Sequence, residues 1–133
     1  MAEIPKKTAL YDFHIANSNN VVDFSGFYLP VFYSSIIAEH RAVRDKAALF
    51  DVSHMGQLIV TGHLSEKFVQ AVTINDISKL NPGQAQYSAI CDETGGIIDD
   101  VIVYKRKSDY MIVVNAVLNS DTVNYVTTNL KYM

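Results

Sequence analysis

The stretch TGGIIDDVIVYK at positions 94–105 is the most informative about the fold, and the turn RKSD connects it to YMIVVNA at positions 110–116. Both stretches are rich in β-branched residues and are bounded by turn-forming residues, which is typical of strands. The glycine pair in ETGG (93–96) can supply the positive φ angles of a tight hairpin turn. We therefore predict antiparallel strands at 97–105 and 110–116, preceded through the hairpin by a strand at 84–92.

The segments on either side predict an α+β fold. QLIVTG (57–62) reads as a strand, and in HLSEKFVQAVT (63–73) the spacing of Leu64, Phe68 and Val72 forms one side of a helix. Asn119 or Ser120 caps a last helix, and its inward residues would be Val123, Val126 and Leu130. The order β-α-β-β-β-α in 50–133 predicts a mainly antiparallel sheet with helices on one face. The 97–105 strand is apolar on both faces, which predicts a central strand covered on both sides.

The first part of the chain predicts helices and short strands. Residues 6–17 read as a helix with an apolar side formed by Leu10, Phe13 and Ile15. The stretch 21–33 can form one or two short strands around a turn, with Pro30 at an edge or in a loop. A helix over 36–47 would bury one face and place His40 on its inner side as a hydrogen-bonded residue.

Composition excludes several classes of protein. The 133 residues are 49% hydrophobic and carry a formal charge of -3, which argues against disorder and against binding to nucleic acid or anionic membranes. The single cysteine, Cys91, cannot form an internal disulfide. No apolar run is long enough to span a bilayer, and the first residues lack a secretory signal. We expect a soluble protein of the bacterial cytoplasm.

Two adjacent carboxylates, Asp99 and Asp100, lie in the middle of the apolar strand. Neighbouring strand residues project to opposite faces, so the two cannot act as a pair on one substrate. Each must be hydrogen-bonded, paired or directed into a cleft. The spacing leaves open a structural contact and an active-site role for either one. If hairpin partners have numbers that sum to about 215, Asp100 lies opposite Asn115, a polar spot in an apolar wall that is typical of small-molecule pockets.

The stretch FDVSHMGQ (50–57) contains the groups of a hydrolytic triad in Asp51, Ser53 and His54. No glycine elbow surrounds the serine, so we favour a turn stabilised by the side chains of Asp51 and Ser53. The four histidines of the chain do not show metal-ligand spacing, and we predict no metal. Phosphate-binding glycine motifs are absent as well, so the sequence gives no support for a nucleotide site.

Three segments together resemble one family. These are DFSGFYLPVFY (23–33), HRAVRDKAALFDVSHMGQ (40–57) and TGGIIDDVIVYK (94–105). They are similar to the N-terminal part of the glycine cleavage system T-protein, the aminomethyltransferase, and the resemblance extends from about Thr8 to about Leu130. It implies that 1–49 belongs to a first domain and that 50–133 carries a folate-site strand pair, in a fold that is incomplete. Members of the family are far longer, so the chain is interpreted as a fragment or a short relative.

The resemblance also implies a reaction and its residues. The family transfers a one-carbon unit from the aminomethyl group on the lipoyl arm of H-protein to tetrahydrofolate and releases ammonia. Asp100 matches the catalytic aspartate, which selects it over Asp99. Met55, Val113 and Asn115 match folate-site positions, and Met111 lies where some members carry tyrosine. The implied partners are tetrahydrofolate, lipoylated H-protein and the other glycine cleavage components. The alternative is a folate-binding or interaction module without catalysis.

Overall fold

A computed structural model describes residues 4–116 and 119–130, without the side chains of 119–121 and 129–130. The chain divides into two compact units, Met1–His54 and Met55–Met133. Within the described ranges, none of the helices is long and apolar enough to cross a membrane.

The first unit contains a small three-stranded sheet. Its strands are β1 (Lys6–Lys7), β2 (Val21–Phe24) and β3 (Phe27–Pro30), in the order β1-β3-β2. Ser25 and Gly26, with φ of 56° and 78°, form the two-residue turn between β2 and β3, which confirms the short strands predicted at 21–33. Pro30 ends β3 beyond the two residues that pair with β1, so its missing N–H costs no ladder bond there.

The first helix differs from its prediction. Helix α1 spans Tyr11–Asn17 and not 6–17, because Lys6 and Lys7 pair in parallel with Phe27 and Tyr28. The predicted apolar side is wrong: Leu10, Phe13 and Ile15 are 45%, 56% and 51% exposed. His14 is the buried residue of α1 because its ring nitrogens have polar partners elsewhere in the unit.

Helix α2 (Ile36–Asp45) forms where predicted, and the Ser35 hydroxyl caps its N-terminus. Its predicted buried face is wrong, since none of its residues is buried and His40 is exposed. Helical spacing identifies residues that share one side, as Ile36, His40 and Val43 do along a groove. Burial of that side requires an element packed against it, which spacing cannot reveal.

The second unit has the predicted order of elements and the predicted α+β class. Strands β4 (Gly56–Val60), β5 (Ala85–Cys91), β6 (Ile97–Lys105) and β7 (Tyr110–Val114) form an antiparallel sheet in the order β4-β7-β6-β5. Helix α3 (Ser65–Val72) and a short 3-10 helix (Ile77–Lys79) follow β4, and helix α4 (Asn119–Leu130) follows β7. Strand β6 is an interior strand, as predicted.

Both helices pack on the same face of this sheet. The core there includes Phe68, Val69 and Val72 from α3, Val126 from α4, and Ile90, Val101, Val103, Ile112 and Val114 from the strands. On the opposite face Tyr87 and Ile102 are 65% and 36% exposed, so the prediction that β6 is covered on both sides is wrong. We call this second face the open face. Val123 is half-buried, and the predicted cap at Asn119 or Ser120 and the burial of Leu130 lie outside the described side chains.

Candidate functional site

The strand register of the second unit brings the predicted site residues together. Strand β6 pairs Ile102 with Val113 and Tyr104 with Met111, which confirms the predicted hairpin register. Strand β4 pairs Gly56 with Val114, and this register continued by one residue places Met55 beside Asn115. Because alternate residues of a strand share a face, the strands place Asp100, Met111 and Val113 on the open face. Met55 and Asn115 lie one residue outside β4 and β7, and the continued register places them beside these three.

The five residues differ in exposure. Asp100 is exposed, whereas the other four are half-buried. Met111 and Val113 alternate along β7 with the fully buried Ile112 and Val114, whose side chains enter the core on the helix side. The open face therefore presents one exposed carboxylate beside a row of partly covered apolar side chains.

The Asp100 carboxylate accepts hydrogen bonds from two neutral side chains. Its Oδ1 accepts from Asn115 Nδ2 at 2.9 Å, and its Oδ2 accepts from the Tyr87 hydroxyl at 2.9 Å. The bond to Asp100 raises the pKa of Tyr87 above its ordinary value. No lysine, arginine or histidine among the described residues forms an ion pair with Asp100. The contact with Asn115 was predicted from the register.

The sequence did not predict Tyr87 as a neighbour of Asp100. Strand β5 pairs Ala89 with Asp100, and Tyr87 lies two residues earlier on the same open face, opposite Ile102. A tyrosine ring is long enough to reach a diagonal neighbour across a strand pair. The alternation in QAQYSAICD could therefore have placed Tyr87 beside Asp100 once the β5–β6 register was known.

Asp99 lies on the helix side and is only 1% exposed. Its Oδ2 accepts from the Asn115 backbone N–H at 3.2 Å and from the Thr122 hydroxyl at 2.9 Å, and its Oδ1 accepts from Asn115 Nδ2 at 2.9 Å. Asp99 and Asp100 thus face opposite sides of the sheet, as predicted, yet both carboxylates contact the same amide. Asn115 can bridge them because it follows the last residue of β7, outside the regular ladder.

The β5–β6 hairpin fixes the position of the aspartate pair. Asp92 Oδ1 accepts from the backbone N–H groups of Thr94 and Gly96 at 2.8 and 2.9 Å, and Gly95 adopts a φ of 86°. Hydrogen bonds from the Thr94 side chain and from these backbone groups lower the pKa of Asp92. The ladder shifts between Ile90 and Cys91, directly beside the partner of Asp99. Such an irregularity locally increases strand twist and redirects side chains.

The hydrolytic triad does not form. Asp51 Oδ1 accepts from the backbone N–H and the hydroxyl of Ser53, which supports the predicted turn. The histidine that contacts Asp51 is His14, whose Nε2 lies 2.7 Å from Asp51 Oδ2, and not His54. The ring of His54 instead lies 5.9 Å from that of Phe24. In addition, no group of three or more His, Cys, Asp or Glu side chains in the described ranges could bind a metal.

Two cavities lie apart from the five predicted residues Met55, Asp100, Met111, Val113 and Asn115. One of about 890 Å³ lies in the first unit, lined mainly by apolar side chains that include Phe24, Ile36 and Phe50. A second of about 450 Å³ lies beside α3, next to His63 and Glu66. Neither is lined by Asp100, which lies on the open face of the sheet.

Comparison with known proteins identifies the family. The profile of the GCVT N-terminal domain matches residues 10–132. The chain belongs to the GCVT N-terminal domain family. The T-protein resemblance drawn from FDVSHMGQ and TGGIIDDVIVYK is thereby confirmed.

Relatives of this GCVT-type chain are considerably longer. It is 51% identical over 112 residues to an aminomethyltransferase of Halalkalibacterium halodurans, covering 84% of this chain and 31% of that protein. It is 46% identical over 127 residues to one of Bacillus licheniformis, covering 95% of this chain and 35% of that protein. The chain therefore spans about a third of the length of these curated relatives.

A solved structure agrees with the fold. The chain superposes on the glycine cleavage system aminomethyltransferase T from Bartonella henselae with a TM-score of 0.85 and 30% identity. The match covers 92% of this chain and 35% of that one. The predicted α+β class is therefore that of an aminomethyltransferase structure.

Proposed function

We propose that this chain provides the catalytic carboxylate and part of the folate site of an aminomethyltransferase of the glycine cleavage system. The observation that carries the proposal is the shared location of the five residues matched by motif. They come from three different sequence segments: Asp100, Met111 and Val113 lie on the open-face side of β6 and β7, and the register continued by one residue adds Met55 and Asn115. The identity of about one half to named aminomethyltransferases supports the same reaction.

In this proposal the Asp100 carboxylate stabilises positive charge that develops on the carbon being transferred. A fixed carboxylate can do so because its hydrogen bonds orient it before the reaction begins. The bonds from Tyr87 and Asn115 give Asp100 that orientation. The same carboxylate can orient the attacking folate amine. In this proposal Asp100 also transfers a proton during the reaction.

The apolar residues supply the remaining contacts. Met55, Met111 and Val113 would pack against the flat pterin of tetrahydrofolate and exclude water from the reacting atoms. Asn115 has its amide hydrogens directed to the two aspartates, so its part in folate contact is through its Oδ1 or through Asp100. We further propose that the donor is the aminomethyl group on lipoylated H-protein and that the reaction takes place in the bacterial cytoplasm.

We also propose a domain assignment. Residues 1–49 would belong to a first domain of the longer fold, and residues 50–133 would form the subdomain that carries the folate-site strand pair. Limited proteolysis with mass spectrometry tests this assignment, because the first stable fragment would begin near residue 50. A stable fragment beginning well inside β4–β7 would contradict it.

The central test is a calorimetric titration of tetrahydrofolate into the chain, paired with a transfer assay that uses aminomethyl-loaded H-protein. Asp100→Asn should keep the shape of the side chain and reduce transfer by about 100-fold or more, because a neutral amide cannot stabilise the developing charge. Asp76→Asn removes another exposed carboxylate of the same unit and serves as the matched control.

The outcomes separate the candidates. Binding of tetrahydrofolate together with transfer that depends on Asp100 supports the enzyme. Binding without transfer, also in the presence of the remaining two thirds of a relative supplied as a second polypeptide, identifies a folate-binding module. Absence of binding under both conditions would refute the proposal.

A further inference from the structure

We propose that Asp99 is a positioning residue for Asp100, acting through the side-chain amide of Asn115 and anchored to α4 by Thr122. This inference rests on the proposed function only in taking Asp100 as the reacting group. The hydrogen bonds themselves belong to the fold, so they can be tested without a substrate.

Asp99 has an unusual environment. It is a carboxylate that is 1% exposed, and no described basic side chain forms an ion pair with it. A buried carboxylate is costly unless hydrogen bonds satisfy its oxygens. Three donors do so here, two from Asn115 and one from Thr122. An apolar residue at this buried position of β6 would avoid the desolvation cost of a carboxylate.

Asp99 holds the side-chain amide of Asn115. Asn115 Nδ2 carries two hydrogens and lies within 3.0 Å of three acceptors, namely Asp99 Oδ1, Asp100 Oδ1 and the Asp100 carbonyl. Asp99 also accepts from the backbone N–H of Asn115, so it holds both the backbone and the side chain of this residue. With the amide held in this way, one of its hydrogens is directed to Asp100 Oδ1.

The Thr122 hydroxyl connects Asp99 to helix α4. Thr122 is fully buried on α4, and its hydroxyl donates to the same Oδ2 that accepts from the Asn115 backbone. Tyr87 holds the other oxygen of Asp100 from β5. A single hydrogen-bond network thus connects α4, β6, the end of β7 and β5, and it extends from the buried Thr122 and Asp99 to the exposed Asp100 and Tyr87.

The experiment uses the full chain and four variants. Asp99→Asn keeps the side-chain shape and removes the charge, whereas Thr122→Val removes only the hydroxyl contact and Thr122→Ser restores it. Val101→Ala weakens the core beside Asp99 without touching the network, and controls for a purely structural loss. The readout is the NMR signal pair of the Asn115 side-chain amide, with its rate of hydrogen exchange, followed by the Kd for tetrahydrofolate.

We expect Asp99→Asn to accelerate exchange of the Asn115 amide hydrogens about 10-fold or more, because a charge-assisted acceptor is lost. Thr122→Val should give a smaller acceleration that Thr122→Ser reverses, and Val101→Ala should leave the amide signals unchanged. Tetrahydrofolate should bind Asp99→Asn about 10-fold more weakly than wild type.

Two results would overturn the proposal. One is an unchanged Asn115 amide in folded Asp99→Asn. The other is an altered amide in a variant whose tetrahydrofolate affinity equals that of wild type. If wild type itself binds no tetrahydrofolate, the proposed function fails, and the amide signals still decide whether Asp99 orients Asn115 and Asp100.

Discussion

The buried contact between His14 and Asp51 predicts a strong and pH-dependent contribution to the stability of the first unit. His14 is 1% exposed and the Asp51 side chain 6%. Asp51 Oδ2 accepts from the Thr8 hydroxyl at 2.8 Å and lies 2.7 Å from His14 Nε2, while His14 Nδ1 lies 2.7 Å from the Tyr33 hydroxyl. The Asp51 carboxylate thus contacts Thr8 before α1 and His14 within α1, and His14 in turn contacts Tyr33 in the loop after β3.

The substitution Asp51→Asn gives the sharpest test. The amide keeps one acceptor oxygen and places a donor group where Asp51 now accepts. Hydrogen bonds to a charged group contribute about 1.5–3 kcal/mol each, and Asp51 accepts such bonds from His14, Thr8 and Ser53. Because the contacts are not additive, we expect the free energy of unfolding to fall by about 2–4 kcal/mol. His14→Phe should cost a similar amount, since it leaves Asp51 and Tyr33 without their shared partner.

The pH dependence follows from the direction of the pKa shift. Desolvation by burial raises the pKa of Asp51, but hydrogen bonds from Ser53, His14 and Thr8 outweigh it and hold the pKa below its ordinary value of 3.8. A carboxyl whose pKa is lower in the folded state stabilises that state fully above the unfolded value and loses this effect as the pH falls through the folded value. The difference between wild type and Asp51→Asn should therefore be largest near neutral pH and should shrink below about pH 4.

The assay is urea unfolding followed by hydrogen exchange and mass spectrometry of peptides from the first unit, at a series of pH values. Asp12→Asn is the matched control, because it removes an exposed carboxylate from the first turn of α1. We expect it to change stability by less than about 1 kcal/mol. A destabilisation by Asp51→Asn as small as that of the control, or one that does not vary with pH, would contradict a stabilising role for the Asp51 carboxylate.

Three further predictions concern the second unit. Ile112→Ala should lower the free energy of unfolding by about 2–5 kcal/mol in a urea titration, because Ile112 is fully buried in the core; a loss below 1 kcal/mol would contradict the packing. Gly95→Ala should cost about 1–2 kcal/mol by thermal unfolding, since its φ of 86° strains any residue with a Cβ, and a stabilised variant would exclude this turn geometry. In an alkaline absorbance titration, the Tyr87 phenol should ionise above its ordinary value of 10.0, and Asp100→Asn should lower its pKa toward that value; an identical titration of both proteins would argue against the contact.

The second unit could be predicted well from the sequence because most of its strand pairs join segments that are close in the sequence. Short loops join β5 to β6 and β6 to β7, so turn residues and alternation were enough to derive the pairing of Ile102 with Val113. The same register predicted the contact between Asp100 and Asn115. The open face was not predicted, because Ile102 is as apolar as the buried Val103 and alternation does not reveal which face the helices cover.

The first unit was predicted less well because its contacts join distant positions. A histidine on a short helix gave no sign of burial, since its partner Asp51 is 37 residues away in the sequence. Likewise, the spacing of Ile36, His40 and Val43 identified one side of α2 without identifying what covers it. The bridge from Asn115 to Asp99 was missed for another reason: alternation applies within a strand, and Asn115 lies beyond the end of β7.

The strand order β4-β7-β6-β5 has a consequence for how the chain folds. Strands β5, β6 and β7 meet through consecutive hairpins, which form quickly because little entropy is lost in closing short loops. Strand β4 is the first of the four in sequence, yet its partner is the last, so its docking must close a loop that contains most of the unit. We therefore expect Met55, which directly precedes β4, to reach the open face last. An interruption of folding at the three-strand stage would leave Asp100 with its neighbours Tyr87 and Asn115 in place and one side of the proposed folate site absent.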